Sequence, residues 1–271
     1  MIFCILFREK MSKTDFPHLH SLMLGGLQSN RILTELVEVW GQQLTTLKLE
    51  TVLPVIPLDT IGTNCQNIVE LQVINARLSV CRSHDCQTQH FFENLKLVYF
   101  FLVNYVVNDD HIQEENDAEK FPRSPLHCIL RHSKKLEGIQ ATGTSVFTDE
   151  SLYEITKTNS LRNLRRFILT DAAVGDGLGF AIGDGIGNRP GHLQRANNIN
   201  TGRNAVENSD GMNLTAPKLT SRSVIRLFEM CPHLQCTGDL RHWQISPQER
   251  RQIFKLLQNR QSSEMGLQVV V

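Results

Sequence analysis

Apolar residues return along the chain in the spacing Leu-x-x-Leu-x-Leu. The cleanest copy is Leu44, Leu47 and Leu49, and degenerate copies are Leu19/Leu22/Leu24, Ile68/Leu71/Val73, Leu136/Ile139/Ala141 and Leu164/Phe167/Leu169. With Leu95 and Leu234 included, successive first positions lie 25, 24, 27, 41, 28 and 70 residues apart. Four of these six steps fall in or beside a period of roughly 20–29 residues, the mark of a tandem array. Inside a copy the period is two. Leu47 and Leu49 alternate with Lys48 and Glu50, which predicts a short strand with leucines facing a core and charges facing out.

Helical spacing follows the strands. Leu33, Leu36, Val37 and Trp40 share one face of a helix predicted within 27–40. Leu152, Ile155 and Thr156 do the same behind Thr148 as N-cap, and Val224, Ile225, Leu227, Phe228 and Met230 behind a Thr/Ser cap at Thr220. Ser124-Pro125 and Ser246-Pro247-Gln248-Glu249 open two further helices. The second is a capping box, with Ser at N-cap, Pro at N1 and Glu at N3. A single strand–turn–helix unit cannot bury its leucines alone, so the units are expected to stack in a line. Seven strands at about 4.8 Å would give a concave sheet roughly 30 Å long, a surface suited to a protein or peptide.

The period and pattern resemble the leucine-rich repeat. The expected fold is therefore α/β: a leucine-rich-repeat solenoid, a ribonuclease-inhibitor-like horseshoe of about seven repeats, with two polar insertions. Asn64-Cys65-Gln66-Asn67-Ile68 with Leu71 and Val73, and Cys231-Pro232-His233-Leu234, resemble the cysteine-containing variety of that repeat. This variety occurs in F-box/leucine-rich-repeat proteins, which recognise substrates for cullin-based ubiquitin ligases. The stretch from Cys231 to Leu257, with Gly238-Asp239-Leu240-Arg241-His242-Trp243, resembles arthropod members of that group. The family carries its F-box, a helical module, ahead of the repeats. Here about fifteen residues precede Phe16, and Leu53-Pro54 is a faint echo of an F-box opening. Residues 1–15 are accordingly read as a truncated N-terminal cap or flexible end, with Met11 as an alternative start, and 16–271 as the repeat domain. A cullin-ligase adaptor is implied as partner only through an F-box in a longer isoform.

Charge narrows the partners. Lys+Arg and Asp+Glu are both 28, with a pI near 7.1, so the basic excess of a nucleic-acid binder is missing. Arg162/Arg165/Arg166 and Arg250/Arg251 are local clusters, read as solvated edges. Seven scattered cysteines, an odd number, fit reduced thiols in a cytoplasmic or nuclear protein. The apolar start from Met1 to Phe7 is too short to span a bilayer, and no membrane contact is expected.

Two stretches interrupt the array. Residues 104–123 read as an acidic loop carrying Asp109, Asp110, Glu114, Glu115, Asp117 and Glu119. Residues 171–217 hold nine of the 17 glycines and seven asparagines, and read as a disordered insertion. Removing these 47 residues turns the 70-residue step into 23, an ordinary period. Gly177, Gly179 and Gly183 invite a nucleotide-binding enzyme as the alternative function, on segment 175–187. The third glycine is one residue too far for a dinucleotide turn, and Gly185, Gly187 and Pro190 forbid the helix that turn must open. Cys81, His84, Cys86 and His90 offer a second alternative, a zinc-binding module at 81–90, although the spacing matches no common finger. Neither outweighs the array. The expectation is a non-enzymatic protein–protein recognition scaffold without cofactor; the resemblance implies a substrate-recognition component of an SCF-type ubiquitin ligase. Strand alternation assigns partner contact on the concave face to Lys48, Glu50, Glu70, Gln72, Tyr99, Phe101, Gln140 and Arg166. For the apolar run from Leu95 to Val103, the register with Leu97, Tyr99 and Phe101 outward and the register with them in the core are equally open.

Overall fold

The computed structural model of the chain describes residues 16–79, 91–106, 125–142, 147–170, 218–235, 237, 240 and 243–261. Among the described residues six strands form one sheet: β1 (Ser21–Gly25), β2 (Thr46–Pro57), β3 (Glu70–Ser79), β4 (Leu97–Val106), β5 (Gly138–Thr142) and β6 (Arg166–Thr170). All pairings are parallel, and the order across the sheet is the order along the chain. Six α-helices accompany them among these residues: α1 (Asn30–Trp40), α2 (Leu58–Asn64), α3 (Pro125–His132), α4 (Asp149–Thr158), α5 (Ser221–Met230) and α6 (Pro247–Gln261). When parallel strands advance one place at a time with crossovers of one hand, the helices all fall on the same side. The neighbours α1–α2, α3–α4, α4–α5 and α5–α6 pack together in this way.

The core lies between these layers. Leu22, Leu24, Leu47, Leu49, Leu71, Val73, Val98, Phe100, Ile139, Ala141, Phe167 and Leu169 point inward from the six strands. Leu33, Leu36, Val37 and Trp40 of α1, Leu152 and Ile155 of α4, and Val224, Leu227 and Phe228 of α5 meet them. Three caps have the expected chemistry. Thr148 accepts from the Ser151 amide and Thr220 from the Arg222 amide. Ser246 and Glu249 satisfy each other's amides at 2.9 and 3.2 Å.

The expected leucine-rich-repeat solenoid, a horseshoe of about seven repeats, is corrected by this architecture: the fold is an open α/β sheet. Its strands run from 5 to 12 residues, with β2, β3 and β4 twice the length of β1, β5 and β6. The unit opened by Leu234 gives one strand-like bond, from the Gln235 amide to the Arg165 carbonyl at 2.7 Å. Beyond it, among the described residues, no seventh strand forms. Trp243 packs edge-on to Phe167 at 6.2 Å and donates to the Leu169 carbonyl. The first residues of the expected acidic loop belong to β4, where Asn104 and Val106 still pair; residues 107–124 lie outside the described residues. Leu53-Pro54 sits inside β2, where the register to β3 slips between Val52 and Val55. A proline lacks the ladder donor and is tolerated at such a bulge.

Why the long strands are long is visible in the backbone. Gly26, Thr51, Asn75 and Leu102 have φ of 65°, 51°, 48° and 52°. They follow Gly25, Glu50, Ile74 and Phe101, which are partners in successive strands, so the four left-handed residues form one row across the sheet. A left-handed residue inverts the alternation. In β3 the buried positions are Leu71 and Val73 before Asn75, then Ala76 and Leu78 after it. The strand thereby continues without turning its apolar side chains to water.

Candidate sheet-face site

The side chains opposite the core form three rows, fixed by the parallel register. The first runs Ser21, Thr46, Glu70, Leu97, Gly138, Arg166; the second Met23, Lys48, Gln72, Tyr99, Gln140, Ile168. The third runs Gly25, Glu50, Ile74, Phe101. All eight residues expected on one face from alternation fall in these rows, and Arg166 is exposed while the other seven are half-buried. The register of 95–103 is decided as well. Val98 and Phe100 are fully buried, whereas Leu97, Tyr99 and Phe101 stand on the open face.

Tyr99 and Phe101 stack at 6.5 Å with planes 14° apart. Two aromatic rings side by side on a sheet supply large contact area with few torsions to freeze. Around them the polar groups hold one another. Gln72 donates to Glu70 at 2.7 Å, and Lys48 lies 3.6 Å from Glu50. Gly138 leaves room for Leu97 to lean across β5. A Cβ there would lie 3.1 Å from Leu97 Cδ2 and 3.8 Å from Arg166 Cβ, so apolar surface runs from β4 to the stem of Arg166.

The strand entrances are bound by repeated turns. The amides of Leu44, Ile68, Leu95, Leu136, Leu164 and Leu234 donate three residues back, to Gly41, Cys65, Phe92, Ser133, Leu161 and Cys231. Asn67, Asn94 and Asn163 then donate from one turn to the next, to the carbonyls of Gln42, Gln66 and Lys134. These turns place Lys134, Lys135, Arg162 and Arg165 at one end of the sheet, all exposed. Lys96 bonds Glu137 at 2.8 Å, and this bond, with help from Arg165, holds the Glu137 carboxyl below the usual range.

No protein-family model matches the chain, and no curated protein matches it.

A groove between α4 and α5 is lined by Asp149, Tyr153, Arg222 and Arg226. Asp149 there accepts from the Thr220 amide at 2.8 Å and from the Ser223 hydroxyl, which binds α5 to α4. The Tyr153 ring is flanked by Lys157 Nζ at 4.4 Å and Arg226 Cζ at 5.4 Å from its centroid. The candidate zinc ligands Cys81, His84, Cys86 and His90, and the glycine segment 175–187, lie outside the described residues. Among the described residues no group of His, Cys, Asp and Glu could hold a metal ion, and no helix is long and apolar enough to cross a membrane.

Sequence reasoning missed Met23, Ile74 and Ile168 on the open face. They are aliphatic, and hydrophobicity alone assigns them to the core. The signal that could have found them is parity: each lies one residue from a buried neighbour on its strand. It also missed Gly138, whose value lies in the side chain it lacks.

Proposed function

We propose that the chain is a protein-recognition scaffold that grips a partner through the open face of its sheet. The observation that carries this reading is the stacked Tyr99–Phe101 pair. It stands beside Leu97 and Ile74 at the centre of a face whose rim carries Lys48, Glu50, Glu70, Gln72, Gln140 and Arg166. An apolar aromatic centre inside a polar rim is the composition of protein-binding hot spots. The monotonic strand order argues in the same direction, because a nucleotide crevice needs a point where strand order reverses. The substrate-receptor role in a cullin-based ubiquitin ligase is the narrower form of this proposal. It is supported by the family resemblance at Cys65 and Cys231, both buried and each immediately following a helix.

The test is affinity capture by the full chain, comparing the natural protein with a Tyr99→Ala/Phe101→Ala double variant. Proteins retained by the first and lost by the second are expected, with the variant's melting temperature unchanged within a few degrees. Identical captures from both would refute a sheet-face site. Recovery of a cullin adaptor among the lost proteins would support the ligase form.

A further inference from the structure

Resting on that reading, we propose that the partner presents an acidic segment, carrying an apolar side chain about three residues from a carboxylate, to the β4–β6 end of the face. Charge is divided unequally along the sheet. On β2 and β3 the charges balance: Lys48 stands beside Glu50, Glu70 accepts from Gln72, and Arg77 is exposed. At the β5–β6 end stand Lys134, Lys135, Arg162, Arg165 and Arg166, all exposed. They are brought together by bonds that the sequence order conceals. Asn163 ties the turn bearing Arg162 to the Lys134 carbonyl at 3.1 Å, and the Arg165 and Arg166 amides both donate to the Glu137 carbonyl. Glu137, immediately before β5, is already held by Lys96. A chain of zero formal charge therefore presents a local cationic end. Such an end draws carboxylates and orients them.

Geometry sets the spacing. Tyr99 and Leu97 on β4 and Arg166 on β6 are two strands apart, or about 9.6 Å at 4.8 Å per strand. Three residues of polyproline-type backbone cover about 9.3 Å and return a side chain to the same face. Gly138, midway, puts no side chain of its own in the path of the ligand backbone. An apolar residue would sit on Leu97 and Tyr99, and a carboxylate at the i+3 position would meet the Arg166 guanidinium, with Arg165 and Arg162 behind it.

The experiment is selection from a phage-displayed random peptide library on the immobilised full chain, followed by titration of the selected peptides, synthesised with a fluorescent label. Asp/Glu enrichment with an aromatic or aliphatic residue three positions away is expected. Arg165→Glu/Arg166→Glu should weaken those peptides roughly tenfold or more. Raised salt should weaken them too, while Arg250→Glu, on α6, should not. Selected peptides lacking acids, or a charge reversal without effect, would overturn the acidic partner. If Tyr99→Ala/Phe101→Ala still abolished binding in that case, the sheet-face reading would stand. Peptides indifferent to both variants would end both, as would failure to select any. Stronger Arg165/Arg166-dependent binding of an RNA oligonucleotide or of anionic phospholipid vesicles would replace the peptide by that ligand.

Discussion

Leu102 is 46% exposed and holds a left-handed φ of 52°, a conformation that costs an L side chain roughly 1–2 kcal/mol and glycine almost nothing. Leu102→Gly should therefore raise stability by up to about 1 kcal/mol, after the greater freedom glycine has when unfolded is subtracted. Asn75→Val should lower it by about 1–2 kcal/mol, because a β-branched residue fits that region worst. Urea denaturation of both variants would read the difference. Two members of this row were legible. Gly26 and Asn75 are residue types that favour positive φ, but Thr51 and Leu102 carry no such preference, and only the neighbouring strands impose it. A different residue effect concerns pH. Burial pushes the Cys65 thiol up from its ordinary 9.0 to about 12. The folded protein thus keeps that proton more tightly than the unfolded chain. The contribution to stability is intact below pH 9 and declines as pH rises from 9 toward 12. Cys65→Ala should flatten that decline in denaturation midpoints measured across the range.

At the scale of elements, helix starts were the most legible feature, because their chemistry is local. Thr148, Thr220 and the Ser246–Glu249 box all make the bonds their residue types imply. Ser246→Ala should cost about 1 kcal/mol. Bonds to Ser246 and Ser221 hold the Glu249 carboxyl low, so the support this box lends α6 should fade as pH falls below 4.5. Helix ends were less legible. The Asn159 side chain, fully enclosed, donates to the Leu130 and Ser133 carbonyls at 2.6 and 3.2 Å and accepts from the Leu161 amide at 3.2 Å. It closes the end of α3 from 26–29 residues downstream, a distance at which no local rule operates. Asn159→Ala, leaving those buried groups unpaired, should cost about 2–4 kcal/mol in the same urea assay. Strand length was misjudged for a related reason. Alternation breaks at the left-handed row, and a reading based on period two ends the second strand at Glu50, just before Thr51.

For the whole molecule, the line-like order of strands makes each unit depend on its two neighbours. Leu71 on β3 is enclosed by strands on both sides, whereas Leu22 lies on β1, whose described strand partner is β2 alone. Both are Leu→Ala sites within a range of about 2–5 kcal/mol, and Leu71→Ala should fall nearer the upper end, Leu22→Ala nearer the lower. The open face was legible at the level of which side chains share it, since period two needs no tertiary knowledge. Its charge division was legible only in part: Arg162, Arg165 and Arg166 cluster along the chain, but the stacked turns bring the one bearing Lys134 beside them. The unit opened by Leu234 repeats the local signal faithfully: its Gln235 amide bonds the Arg165 carbonyl beside β6, and Trp243 packs against Phe167. The row at Gly26, Thr51, Asn75 and Leu102 also constrains how strands can slide. Were β3 to slip by a single residue, the bend at Asn75 would lie beside straight backbone in both β2 and β4, and every leucine would exchange sides. The row works as a key cut into four adjoining strands. The height at which Tyr99 stands between Gln72 and Gln140 is thus inherited from a bend three residues further on.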